Sequence, residues 1–215
     1  MKAKRKPWGH EYLIYENQDV AIWHLFINKW ERTSLHCHPN KKTGLIVLQG
    51  GAKVRFLNGE QKVFTGEKVM IRHGVFHQTK NMTGEILQLF EIENPVNKGD
   101  IVRLEDSYGR AGIPYGGEDD VDVPEKGLSG SGKWERVGDC EVCVRTINSL
   151  GWVAFIEELG APDLIMITQG GISFNEYKVA GPGDTLDRKT FASLAQQFSI
   201  DPNTEGVLVR SCMTH

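Results

Sequence analysis

What most constrains this chain is a succession of short apolar runs, each brief and each closed by a turn. In the first half they read DVAIWHLFIN, GLIVLQG, AKVRFL, QKVF, EKVMI and EILQLFEIE. Between and after them stand Asn58-Gly59, Thr65-Gly66, His73-Gly74 and Thr83-Gly84. Runs of this length, rich in β-branched and aromatic residues and bounded by glycine turns, read as strands. Many short strands at close spacing predict a closed antiparallel barrel or sandwich. VRFLNGEQKVF reads as a hairpin, because Asn-Gly accepts the positive φ angles of a type I′ turn.

Residues 109 to 133 change character, being rich in glycine, proline and acids and poor in aliphatics. They predict a connection between a first domain, 1–108, and a second, 134–215. Strand-like runs resume as CEVCVRTIN, WVAFIEEL, DLIMITQGGISF, EYKVA and GVLVRSC. LIVLQGGAKV in the first half resembles IMITQGGISF in the second, and FTGEKV resembles GPGDTL. Two copies of one supersecondary plan would give two related β domains. The second copy has no histidine at the positions matching His36, His38 or His77, and Asp163 falls where Thr43 does. One helix is predicted in LDRKTFASLAQQFSI, where Phe191, Leu194, Ala195 and Phe198 share a face by their i, i+3, i+4, i+7 spacing.

A formal net charge of −3 gives no broad electrostatic case for nucleic acid. The cluster Lys2, Lys4, Arg5 and Lys6 reads as a solvated tail. No apolar run approaches the roughly 20 residues of a membrane helix. No apolar segment follows the N-terminal charges, so no secretory signal is read and a cytoplasmic protein is expected. Four cysteines, Cys37, Cys140, Cys143 and Cys212, make no disulfide framework. Cys140 and Cys143 are three apart on a strand-like run, point to opposite faces, and read as buried thiols.

Alternate side chains on a strand share a face, so His36 and His38 point the same way with Cα atoms roughly 6.5–7 Å apart. Two such imidazoles can converge on one cation. The stretch GEKVMIRHGVFHQTKN adds Gly66, Gly74, His77 and Asn81. With His36, His38 and Gly50, these residues resemble the two motifs of the cupin superfamily. The resemblance implies an all-β double-stranded β-helix, or jelly-roll barrel. With the internal repeat it implies a bicupin whose second β domain is degenerate and carries one helix. It implies that His36, His38 and His77 are metal ligands facing into the barrel. Two positions depart from the pattern: Arg72 replaces a proline, and Thr43 replaces the glutamate ligand. Neutral imidazoles suit zinc, iron, nickel or copper; the divalent ion expected is zinc, manganese, iron or nickel.

The flanks KPWGHEYLIYE and EIENPVNKGDIVRLEDSYGR narrow this further. Residues 6–110 resemble the cupin domain of type II mannose-6-phosphate isomerases and related sugar-phosphate cupins. That implies a sugar or sugar-phosphate ligand, and the superfamily implies a homodimer. Isomerisation needs a base to move a proton. In EILQLFEIE, Leu87, Leu89, Glu91 and Glu93 share one face, and Glu91 is the first candidate because it is central in an apolar strand. A phosphate calls for guanidinium or ammonium groups, for which Arg103 and Lys53 are the candidates, with Arg55, Arg72 and Arg110 behind them. Three functions remain open: a metal-dependent sugar-phosphate isomerase or epimerase, a three-histidine Fe(II) dioxygenase, and a carbohydrate-binding module without turnover.

Overall fold

The computed structural model describes residues 2–113, 115, 120–124, 126–147 and 162–212. The chain divides into two compact units, Met1–Gly127 and Leu128–His215.

The first unit opens with β1 (Lys2–Lys6), β2 (Gly9–Glu16), β3 (Ala21–Ile27), β4 (Leu35–Cys37), β5 (Lys42–Gln49) and β6 (Gly51–Phe56). It continues with β7 (Gly59–Phe64), β8 (Lys68–Ile71), β9 (His77–Asn81), β10 (Leu87–Asn94), β11 (Val102–Glu105) and β12 (Asp120–Asp122). One sheet runs β12-β1-β2-β3-β10-β5-β8 and the other β11-β4-β9-β6-β7. The order β3-β10-β5-β8 facing β4-β9-β6-β7 is the jelly roll of two Greek keys, the cupin architecture. Period-2 alternation builds its interior: Leu45 and Val47 of β5, Leu87 and Leu89 of β10, and Ala52 and Val54 of β6 meet in one buried cluster with Trp8, Leu25 and Ile27.

The expected strands form, and the differences have local reasons. The β6–β7 hairpin pairs Phe56 with Gly59, so its two-residue loop is Leu57-Asn58, and neither residue has positive φ. The turn is therefore not the type I′ turn centred on Asn58-Gly59. The N-terminal basic cluster is not a tail. It forms β1, with Lys2 and Lys4 paired to Asp122 and Asp120 at 2.9 and 2.7 Å. That pairing also draws part of the expected 109–133 connection into the first unit, because β1 offers β12 an open backbone edge.

Asn81 closes this barrel. Its side chain is fully buried, and its amide nitrogen lies 2.9, 3.1 and 2.7 Å from the carbonyl oxygens of Ile27, Asn28 and Glu85. Its Oδ1 accepts from the backbone N–H and hydroxyl of Thr83, both at 2.8 Å. Leucine would leave several buried polar groups unpaired, each costing about 1–3 kcal/mol. An Asn81→Leu variant should lose about 3 kcal/mol or more of stability in urea unfolding; a loss below 1 kcal/mol would contradict this role.

The second unit contains β13 (Glu135–Val137), β14 (Cys140–Ile147), β15 (Leu164–Gln169), β16 (Ile172–Phe174) and β17 (Tyr177–Ala180). It ends with β18 (Thr185–Asp187), α1 (Arg188–Gln197), β19 (Ser199–Ile200) and β20 (Thr204–Ser211). Its sheets run β13-β14-β20-β15-β18 and β17-β16-β19. The order β14-β20-β15-β18 repeats β3-β10-β5-β8, and β17-β16-β19 repeats β7-β6-β9. Hydrogen bonds fix the equivalence. In the first copy Gly66 N–H donates to Val47 O and Val47 N–H to Glu67 O; in the second Gly183 N–H donates to Ile167 O and Ile167 N–H to Asp184 O. The second unit thus repeats the strand order of the first.

The second interior carries no such chemistry among the described residues. Register places Glu91 opposite Leu45 in the first copy and Leu208 opposite Ile165 in the second. Ile165, Ile167, Leu208, Cys143 and Phe191 fill that core. The expected run WVAFIEEL lies outside the described residues. Asp187 caps α1 by accepting from the Thr190 N–H at 2.8 Å. The helix is shorter than its apolar pattern because Ser199-Ile200 pairs with β16 instead. Cys140 and Cys143 are buried thiols and form no disulfide. No helix among the described residues is long and apolar enough to cross a membrane.

Candidate metal centre

His36 lies on β4, His38 just beyond it, and His77 opens β9, where it is the register partner of His36. The pairing of β4 with β9 therefore gathers residues forty apart in sequence. Ring centroids are 4.9 Å (His36–His38), 4.5 Å (His36–His77) and 5.3 Å (His38–His77) apart. One ring nitrogen of each lies within 4.8 Å of the others, and all three side chains are buried.

The Nδ1 atoms are committed elsewhere. That of His36 lies 2.9 Å from Ser34 O, that of His38 2.6 Å from Asp100 O, and that of His77 3.0 Å from Val75 O. A carbonyl oxygen only accepts, so each Nδ1 carries the proton and each Nε2 keeps its lone pair. His38 Nε2 is buried with no hydrogen-bond partner among the described residues. Burial, then the neighbouring His77 and His38, hold His36 well below the usual imidazole range. Burial, with Lys41 beside it, pushes His38 down to about 4, and burial lowers His77. Neutral rings with converging lone pairs fit a divalent transition metal. Thr43, on the inward face of β5 with Leu45, is fully buried, and its Oγ1 has no hydrogen-bond partner among the described residues. A hydroxyl there leaves the three-histidine set without an anion.

His36 and His38 line a cavity that is partly open to solvent. Glu91 and Glu93 enter it from β10, Glu11 from β2 and Lys6 from β1. Lys98 lies 3.4 Å from Glu11, 3.3 Å from Glu91 and 3.1 Å from Glu93, with its ammonium 4.1 Å from the centre of the Trp23 ring. Lys41 pairs with Glu93 at 3.0 Å and Lys6 with Glu11 at 3.5 Å. Burial opposes the Glu91 charge, but Lys98, the site histidines and Lys41 outweigh it and hold the carboxyl well below its usual range. Burial likewise opposes the Lys98 charge, and Glu11, Glu93 and Glu91 hold it well above the ordinary ammonium range. The network pairs three carboxyl groups with three lysine side chains.

Arg103 and Arg110 line the same cavity. Arg103 donates to Ile113 O, and Arg110 pairs with Asp106 at 2.8 Å. Lys53 does not line it. Ala52 and Val54 take the inward face of β6, so Lys53 points outward and pairs with Glu60 at 2.8 Å. Arg55 pairs with Glu105 at 2.9 Å, and Arg72 is exposed. His24 is buried in the sheet against Phe26 and Phe90, with its Nδ1 2.8 Å from the Tyr12 hydroxyl. Sequence reasoning missed Lys6, Glu11, Lys41, Lys98 and Tyr115. Only Lys6 carried a signal, as a charge next to the apolar Pro7-Trp8.

The family described as "Mannose-6-phosphate isomerase C-terminal" matches residues 2–106. The xanthan biosynthesis protein XanB of Xanthomonas campestris pv. campestris is 31% identical over 109 residues, 49% of this chain and 23% of that protein. The chain thus spans about a quarter of the length of the curated relatives it matches. Among solved structures, the capsular polysaccharide assembling protein CapF of Staphylococcus aureus aligns at TM-score 0.44 and 20% identity, over 48% of this chain and 34% of its own. Lactobacillus farciminis oxalate decarboxylase aligns at TM-score 0.44 and 21% identity, over 47% and 33%. The first unit has the double-stranded β-helix fold, and residues 2–106 resemble the cupin-type C-terminal domain of mannose-6-phosphate isomerases.

Proposed function

We propose that the first unit is a metal-dependent site that isomerises or epimerises a sugar phosphate. The observation that carries this reading is the cluster of three neutral imidazoles, two of which, His36 and His38, line the same cavity as an ionised, buried carboxylate, Glu91. A divalent ion held by His36, His38 and His77 would polarise a sugar carbonyl, making the adjacent C–H acidic. Glu91 is the base that accepts that proton. Lys98 keeps the Glu91 carboxylate charged and fixed between proton transfers. Arg103 and Arg110 place guanidinium groups in the lining, the donor type a phosphate takes.

The test is metal content of protein purified without added ions, followed by turnover of hexose and pentose phosphates. Zinc or manganese with sugar-phosphate turnover supports the proposal. The neutral ligand set left by Thr43 favours one competitor, Fe(II) oxygenation; iron with substrate-dependent O2 uptake would replace the isomerase reading with that one. Glu91→Gln should lower kcat by about 100-fold or more with metal content unchanged. Full activity in that variant would remove Glu91 from the mechanism.

A further inference from the structure

Two of the three histidines are oriented from within their own segments. His36 Nδ1 is tied to Ser34 O and His77 Nδ1 to Val75 O, each two residues back along the chain. His38 differs. It lies past the end of β4, and its Nδ1 meets Asp100 O, 62 residues away, at 2.6 Å. The His38 backbone is held separately, its carbonyl accepting from the Gly74 N–H at 2.7 Å. The Asp100 carbonyl is therefore what turns the ring and keeps the proton on Nδ1.

That carbonyl is placed by its own side chain. Pairing of β11 with β4 reaches Val102, opposite Cys37, so Asp100 lies beyond the ladder. Its carboxylate takes over there. Oδ2 accepts from the backbone N–H of Asn40 at 2.9 Å and of Lys41 at 3.1 Å, and Oδ1 accepts from the Asn40 side-chain amide at 2.9 Å. Lys41 adds a bond from Nζ to Asn97 O at 3.1 Å. Within the segment, Asp100 N–H donates to Asn97 O and Gly99 N–H to Asn97 Oδ1, both at 3.1 Å, so the connection is a closed turn rather than a slack loop. One buried residue thus grips the His38–Lys41 segment twice, by carbonyl at the ring and by carboxylate at the following backbone. We infer that Asp100 is a positioning residue, whose carboxylate docks the turn that orients His38 and so presents the His38 Nε2 lone pair beside those of His36 and His77. The consequence for an ion rests on the metal-site reading above; the orientation of the ring does not.

Two measurements separate those layers. The first is long-range proton–nitrogen NMR of the imidazole rings in chelator-treated protein. In the wild type each of the three rings should show a protonated Nδ1 and a bare Nε2. Asp100→Ala keeps the acceptor carbonyl but removes its anchor, so the two nitrogen signals of His38 should draw together as the ring exchanges tautomers, while those of His36 and His77 stay apart. Asp100→Asn should keep the wild-type pattern, because its amide oxygen can accept from both backbone N–H groups while its NH2 donates to a turned Asn40 amide. If Asp100→Ala fails to fold, Asn40→Ala, at an exposed position, removes the Oδ1 contact alone and should move His38 in the same direction by less. An unmoved His38 overturns the inference, and so does an equal change in all three rings, which would mark a general loosening of the barrel. The second measurement is zinc affinity by competition with a chromogenic chelator. It should fall about 10–100-fold in Asp100→Ala, and Asp100→Asn should bind as the wild type does. Unchanged affinity in Asp100→Ala also overturns the inference. Failure of the wild-type protein to bind zinc would remove the metal-site reading, while the ring spectra still decide whether Asp100 orients His38.

Discussion

A His36→Ala, His77→Ala double variant will hold a divalent metal more than about 100-fold more weakly than the wild-type protein, since loss of even an outer partner of a ligand costs about 10–100-fold. The basis is geometric. His36 and His77 are register partners across β4 and β9, and each Nδ1 is tied to a backbone carbonyl. The rings are therefore oriented before any ion arrives, and alanine removes both a lone pair and that orientation. Competition against a chromogenic chelator gives the dissociation constant, and near-identical far-ultraviolet circular dichroism establishes that the barrel is intact. His73→Ala is the control, being exposed and outside the cluster. Equal affinity in the double variant and the wild type would mean that the ion binds elsewhere.

Lys98→Met will cost about 3–5 kcal/mol, the usual consequence of removing one partner from a buried ionic network. Lys98 is 18% exposed, but its three carboxylate partners are 4%, 10% and 1% exposed. Methionine keeps most of the volume and the contact with Trp23, so the loss reports charge rather than packing. For a chain of this size the melting midpoint should fall by roughly 10 °C near pH 7. The pH dependence has a definite sign. Glu91 is depressed, so its contribution is present above the ordinary carboxylate range and lost as pH falls through its folded value. Lys98 is raised, so its contribution is present below the ordinary ammonium range and lost only as pH rises through its folded value. The wild-type network is therefore at full strength across neutral pH. In Lys98→Met the orphaned carboxylates are relieved by protonation, so the gap between the proteins should narrow below about pH 4. A gap that is constant from pH 4 to pH 8 would show that Lys98 acts by packing alone.

The legibility of this chain follows from which residues lie on strands. Glu91 and Glu93 were readable as inward-facing because β10 alternates without interruption from Leu87. Lys53 failed by the same logic: it was chosen for its charge, while its neighbours Ala52 and Val54 had already claimed the inward face of β6. Lys98 and Tyr115 lie on connections with no period, so their sequence neighbourhoods hold nothing that predicts direction. Lys6 was misread because a basic cluster at a chain start resembles a solvated end until β2 and β12 pair on either side of it.

By itself the sequence determined the strand pattern, the shared direction of His36 and His38, the second copy of the plan and the absence of matching histidines from that copy. Each of these is a property of spacing along one segment, and the two-residue period of a strand makes it local. Tertiary structure alone decided that His77 faces His36, that Lys98 lies among Glu11, Glu91 and Glu93, and that Tyr115 covers Lys6. Those juxtapositions depend on which strands become neighbours and where loops return. Periodicity gives the face of a side chain but not the strand opposite it.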